Sequence, residues 1–491
     1  MTQDICLSND KKGVLANQIL LYFFAPISTL AAIYLIWSSR NLRPIADDYW
    51  VAAMAKDGLL DAFQFWYITW GGDVFLTLLN TIFVGLPILH LPWSIASRLA
   101  FLIVFAGIFF SLLKSLTHYL KFTFARTTKN YWILISAVLL LLVSWVAFWW
   151  TDPSLVPTDS LVVNPLPIQI PISAIVWQNV GIAYIFSSCL VLIAILSLLK
   201  SMRVNKGIGS KNLLLVLLLG LIVGTSGLVL AVSLVIASVL AIVVLSTTTS
   251  NGDSGRYRRL IYFFQSGTLF GILITYLSPG TQNRILVEAS NPNQPEKNLI
   301  EIFSWVFPKG LWEWVSGLAS VGSLIAFGCA LLIGILASTL VGRQSLYQTG
   351  YLTLSLLAFS CLVSVISQLS EAFSYDAYWH QVSPRAILFI SLSLFGCALG
   401  LKVGWIGGDY VLVSCFAGLI AGFIAIGSVL YFAQFAEDRL AIWEVGPAPS
   451  FGIPDTEEIW RNACYLEIKD YRGGPDRSGG KPFEPYPCAV I

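Results

Sequence analysis

Apolar runs of about 20 residues, the length a helix needs to cross a ~30 Å hydrocarbon layer, recur along the whole chain with short polar stretches between them. They fall at about 19–37, 95–117, 131–150, 176–199, 212–226, 228–246, 259–277, 316–341, 350–368, 385–402 and 409–433. In lipid every backbone polar group must be satisfied within its own segment, so these runs predict helices. The expected fold is therefore all-α: a polytopic membrane protein of about 11 transmembrane helices. Residues 1–18 are polar and carry Lys11 and Lys12; the first span has no small-residue cleavage site and reads as an uncleaved signal anchor. The chain shows neither an internal repeat nor a coiled-coil heptad.

Composition agrees. The 491 residues are 56% hydrophobic and 11% charged, against roughly 25% charge in a soluble domain. The net charge of +2 says nothing about nucleic acid, but its placement orients the chain. With the N-terminus cytoplasmic, fifteen of the 29 Lys and Arg fall on the inner side, among them Lys114, Lys121, Arg126, Lys129, Arg256, Arg258, Arg259, Arg343 and Lys402. Basic residues stay inside.

One segment, 73–91, is apolar enough to span, but a crossing there would turn the basic clusters outward. Residues 46–92 are therefore expected outside, as one or two helices lying along the membrane face. The fragile pair is 212–246, whose halves are parted only by Gly224-Thr225-Ser226-Gly227. A transmembrane domain, 1–433, then carries the outer loops 38–94, 151–175, 278–315 and 369–384. A small extracytoplasmic tail, 434–491, follows.

The outer loops hold the candidate chemistry. Asp47 and Asp48 follow the first span in Arg43-Pro44-Ile45-Ala46-Asp47-Asp48-Tyr49-Trp50. Two carboxylates ~6 Å apart repel by roughly 3 kcal/mol at an effective dielectric of 20, which raises one pKa unless a cation or metal compensates. A carboxylate so poised suits a general base that takes a proton from an acceptor hydroxyl; the competing reading is an acid pair that solvates a loop. The aromatic run Phe63, Phe65, Trp66, Tyr67 and Trp70 before Gly71-Gly72-Asp73 reads as an interfacial belt or a substrate platform.

Ser278-Pro279-Gly280 sets a turn that places Arg284 just outside the membrane, where a guanidinium can hold phosphate or a lipid headgroup. Loop 369–384 carries Glu371, Tyr375, Asp376, Tyr378, Trp379 and His380, and Arg385 opens the next span. The helix dipole there favours anions, so an arginine beside a free helix N-terminus is a phosphate site. Tyr49, Trp70 and His380 are the candidate substrate contacts.

Several classes lose support. Cys189, Cys329, Cys361, Cys397 and Cys415 lie within spans as packing residues, and no Cys-x-x-Cys occurs. Cys488-Ala489-Val490-Ile491 has the form of a prenylation box but is expected on the outer side without a polybasic run; a disulfide between Cys464 and Cys488 in the same tail is the alternative reading. No Asn-x-Ser/Thr sequon, Walker A motif, Gly-x-Ser-x-Gly or His-Glu-x-x-His is present.

The layout resembles the GT-C class of integral-membrane glycosyltransferases, and more closely an uncharacterised bacterial multi-spanning family related to that class. The matching positions are Asp47-Asp48-Tyr49, Trp70-Gly71-Gly72-Asp73 and Pro279-Gly280 through Arg284; Asp73 departs, standing where the family pattern has arginine. The resemblance implies a transferase that moves a sugar from a polyprenyl-phosphate donor to a glycan or lipid acceptor, outside a bacterial cytoplasmic membrane. It implies Asp47 or Asp48 as the base and Arg284 and Arg385 as phosphate ligands. It needs no cofactor, or a divalent metal on Asp47 and Asp48, and no nucleic acid. The competing expectations are a transporter or flippase of lipid-linked sugars, which needs mid-membrane charge and paired halves, a glycan polymerase or ligase that leans on the arginines, and a catalytically silent scaffold.

Overall fold

A computed structural model describes residues 19–41, 60, 63–64, 67–68, 73–84, 93–118, 128–150, 181–203, 210–248, 253–289, 299–338, 347–373, 382–406 and 410–445. The described residues are nearly all helical, with no strand among them. The helices are α1 (Ala25–Ser38, preceded by a π-helical turn, Ile19–Phe24), α2 (Val74–Val84), α3 (Trp93–His118), α4 (Thr128–Trp150) and α5 (Ser187–Arg203, preceded by a π-helical turn, Gly181–Phe186). There follow α6 (Ser210–Gly224), α7 (Leu228–Thr248), α8 (Asp253–Tyr276), α9 (Pro279–Ala289) and α10 (Leu299–Leu318). The last are α11 (Val321–Ala337), α12 (Tyr347–Phe373), α13 (Val382–Ile406) and α14 (Tyr410–Val445).

Each expected apolar run is helical wherever it is described. Among the described residues five helices are long and apolar enough to cross a membrane alone, or six if the bent pair α10–α11 forms one span. Shorter apolar helices lie at Tyr22–Ser38, Leu134–Trp149, Ser210–Gly224 and Leu228–Val243. Hydroxyls within the apolar helices bond back to the carbonyl one turn earlier, as Ser115 does to Ser111, Thr268 to Phe264 and Ser391 to Ile387. This is how a polar side chain is satisfied where water is absent.

α4 is the central helix. It packs against α1, α11 and α14, and Trp145, Phe148 and Trp149 on its last turns are fully buried. Phe148 meets Phe389 of α13 with ring centres 5.4 Å apart, and Trp145 meets Phe105 of α3 at 6.2 Å.

The relative directions of the helices can be read from close approaches. A Cβ on Gly220 would strike the Phe264 carbonyl, and one on Gly224 the Thr268 carbonyl, so α6 and α8 run parallel. Gly396, Gly400 and Gly404 of α13 meet Phe327, Leu331 and Ser338 of α11 in that order, which makes those two parallel as well. Gly107 lies on Phe186 and Cys189, while Lys114 donates to the Ile193 carbonyl at 3.3 Å; α3 and α5 are thus parallel. Gly418 meets Leu332 and Gly328 meets Ala421, so α11 and α14 are antiparallel. Small residues four apart let helix backbones touch in lipid, where no hydrophobic force draws them together. Gly227, at φ +139°, makes the reversal between α6 and α7, and those halves are separate helices as expected.

Within 46–92, where helices short of a span were expected, the described helix α2 has 11 residues, about 17 Å at 1.5 Å per residue, too short alone to cross the bilayer core. Three boundaries differ from the sequence expectations. The span placed at 316–341 is two helices bent by 52° at residues 319–320. Ser320 caps a new helix there, accepting the Ser323 N–H, a local event that averaged hydropathy does not register. The loop placed at 278–315 contains α9 and most of α10. The last helix runs on to Val445 rather than stopping near 433. Ala436-Glu437-Asp438-Arg439-Leu440-Ala441 contains no breaker, and Gly446-Pro447 supplies the stop.

Candidate functional site

Asp47, Asp48, Tyr49, Trp70 and His380 lie outside the described residues. The segments around them are described in part. Asp73 immediately precedes α2, and its carbonyl accepts the Thr77 N–H at 2.7 Å. An acid is favoured there by the positive end of the helix dipole. That gives a structural reason for aspartate at the position where the resemblance expects arginine. α2 packs against α3 and against the π-helical turn Gly181–Phe186.

Pro279 and Gly280 do not form a loop turn. Pro279 opens α9, a position where its missing N–H costs nothing. Ser278 fixes the joint with α8: its hydroxyl donates to the Thr275 carbonyl at 2.7 Å and accepts the Thr281 N–H at 3.2 Å. Gln282 adds a bond to the Tyr276 carbonyl at 2.6 Å. Arg284 therefore rides on a helix, and its side chain is outside the described set. Its neighbour Asn283 donates to the Ile68 carbonyl at 2.9 Å, a bond across 215 residues of sequence. α9 is thereby tied to the first outer loop.

Arg385 is placed in full. It lies in the first turn of α13, 2% exposed, and it is the only fully buried charged side chain among the described residues. Its guanidinium points at α10. Nη2 lies 3.7 Å from Glu313 Oε2 and donates to Ser316 Oγ at 3.3 Å. Gly317 is in direct contact: a Cβ there would overlap the guanidinium. A buried guanidinium needs such a counter-charge, since an unpaired ion in a dry site is costly. The arginine expected to bind phosphate is thus a buried cation facing a carboxylate, with Glu313 itself one-quarter exposed.

Hydroxyls knit the surrounding helices together. Ser360 of α12 donates to the Pro384 carbonyl at 3.0 Å, Ser364 to the Gly310 carbonyl at 2.9 Å, and Ser383 to the Tyr184 carbonyl at 3.2 Å. One turn beyond Ser364, Gln368 is buried with no hydrogen-bond partner for its Oε1. Tyr184 belongs to the π-helical turn that α2 packs on. The first outer loop therefore meets α9 through Ile68 and lies one contact from the start of α13 through α2.

No protein-family model, curated protein or solved structure matches the chain. The site must therefore be read from its own chemistry. Among the described residues no three His, Cys, Asp or Glu side chains stand together as a metal cage. What the described geometry offers is a buried guanidinium beside a partly exposed carboxylate, a second arginine-bearing helix, and a segment around Ile68 bonded to that second helix.

Glu313 was missed from sequence because residues 299–315 read as loop, and Ser316 and Gly317 because they fell at the start of an expected apolar span. Their signal was present. Lys309, Glu313 and Ser316 recur at helical spacing within an aromatic run, Trp305, Phe307, Trp312 and Trp314.

Proposed function

We propose that the protein is a glycosyltransferase that moves a sugar from a polyprenyl-phosphate donor to an acceptor hydroxyl on the outer face of the cytoplasmic membrane. The observation that carries this reading is the tether of the first outer loop to α9 by the Asn283–Ile68 bond. That bond ties the loop bearing Asp47 and Asp48 to the helix bearing Arg284. Contacts of α2 with the Tyr184 turn, and of that turn with Ser383, lead from the same loop toward Arg385.

The proposed topology has eleven spans, with the N-terminus cytoplasmic and the C-terminus extracytoplasmic. Support comes from the helix directions: α3 with α5, α6 with α8 and α11 with α13 are parallel, and α11 with α14 antiparallel, as strict alternation requires. Under it the first loop, α9 and the start of α13 all face outward.

In the proposed step Asp47 or Asp48 takes the acceptor's hydroxyl proton. The acceptor oxygen bonds to the anomeric carbon as the bond from that carbon to the phosphate oxygen breaks. The departing polyprenyl phosphate gains negative charge, which Arg284 and Arg385 stabilise where it develops. A flippase has less support, because ion-coupled carriers place charge at mid-membrane and the one fully buried charge described, Arg385, is at a helix start.

The test is to change Asp47 and Asp48 singly to Asn and follow surface glycan transfer in intact cells. Loss in at least one variant, with normal membrane insertion, is expected; full activity in both rules out the catalytic role.

A further inference from the structure

α10 has an inverted pattern for a helix at a membrane's edge. Its outward side is apolar: Ile300, Phe307, Leu311, Trp312 and Val315 are exposed, Trp312 by 69%. Of its described ionic side chains, Glu313 turns inward to Arg385, and Lys309 lies along the helix over the ring of Trp305, one turn earlier, at 4.5 Å. A helix in water shows the opposite arrangement. α10 therefore presents its outer face to lipid, and the Arg385–Glu313 pair lies behind a lipid-facing helix.

We propose that Glu313 is a built-in stand-in for the phosphate of a lipid substrate: it holds the Arg385 guanidinium until a phosphate headgroup, arriving from the bilayer past α10, takes its place. The inference rests on the lipid-phosphate reading of this end of the molecule. Three features support it. The guanidinium is buried while its carboxylate partner is partly exposed, so exchange starts on the Glu313 side. Gly317 lies against the guanidinium and leaves no approach through the α10 backbone.

The third feature is the joint between α10 and α11. Ser320 caps α11, accepting the Ser323 N–H at 3.2 Å, and the chain bends by 52° at that point. The Ser320 hydroxyl also donates to the Gly317 carbonyl at 2.8 Å, the Ser323 hydroxyl donates to the same carbonyl, and α11 is fastened to α13 by its glycine contacts. The end of α10 is thus held against α11 and α13, so the exchange is a swing of the Glu313 side chain and not a movement of the helix. Phosphate matches the planar guanidinium fork at least as well as a carboxylate does, so the exchange leaves the buried cation paired.

The experiment uses the full chain in lipid nanodiscs with farnesyl phosphate as probe, and reads binding without any acceptor or transfer. Glu313→Gln, freed of the competing charge, is expected to bind about tenfold more tightly, as when a closed state is removed from a binding equilibrium. Glu313→Asp, which keeps the charge on a shorter arm, is expected between the two and covers the case in which Glu313→Gln fails to fold. Arg385→Gln is expected to lose binding, and farnesol to bind none of the proteins.

Equal or weaker binding by a folded Glu313→Gln, or by Glu313→Asp where only that variant folds, overturns the proposal. So does inorganic phosphate competing as well as farnesyl phosphate, which would make the ligand a free anion rather than a lipid headgroup. Tight binding by Glu313→Gln with no sugar transfer by wild type would leave the stand-in intact and refute the transferase reading alone.

Discussion

The two ends of α13 are held in opposite ways. Along its later turns Gly396, Gly400 and Gly404 press on the backbone and Ser338 side chain of α11 so closely that a Cβ would overlap them. At its start the same helix meets α10 and α12 through Arg385, Glu313, Ser316 and Ser360. The first seam is backbone on backbone and has one solution. The second is a set of polar side-chain bonds. A membrane protein needs the first to exist in lipid, and the second is the seam at which the proposed exchange with a charged headgroup would take place without dismantling the bundle.

The largest expected effect breaks the first seam. Gly400→Leu would drive its side chain into the Leu331 carbonyl, where no side chain can move aside; a loss of about 3 kcal/mol or more is expected, visible as failure to yield a monodisperse protein in detergent. A normal melting curve would show that the seam is not rigid. The second seam should behave otherwise. Replacing Arg385 and Glu313 together by Met is expected to hold stability within about 1 kcal/mol, since apolar residues of similar volume can substitute for a buried ion pair. Phosphate-lipid binding and transfer should both vanish. Collapse of the fold would mean the pair is structural.

Two smaller effects sharpen the contrast. Asn283→Ala removes the bond to Ile68 and is expected to cost about 1 kcal/mol, with faster hydrogen exchange confined to residues 60–84. Unchanged exchange there would remove the tether from the account. Trp312→Leu, on the lipid-facing side of α10, is expected to shift stability by no more than about 0.5 kcal/mol; a larger loss would place that face against protein.

Much of the architecture was legible in the sequence because it rests on length and hydropathy, which the bilayer reads in the same way. The turn at Gly227 was visible from its residue types. The bend at 319–320 was not, because one serine hydroxyl capping α11 decides it inside an otherwise continuous apolar run. α9 and α10 were taken for loop because Pro279, Gly280 and Pro308 are breakers elsewhere; here Pro279 begins a helix and Pro308 lies inside one. Arg385 was singled out, but without its carboxylate partner. Its burial depends on Glu313, seventy-two residues earlier in the chain, a pairing that no local pattern announces.

The most direct test of the central claim is a distance. A base and the arginine that receives the leaving phosphate must reach the same donor. With spin labels at positions 48 and 286, in a background without other reactive cysteines, the account predicts an electron–electron distance centred below about 25 Å, two side-chain reaches and a donor headgroup apart. A distribution centred beyond about 40 Å would separate the acid pair from α9 and contradict the mechanism.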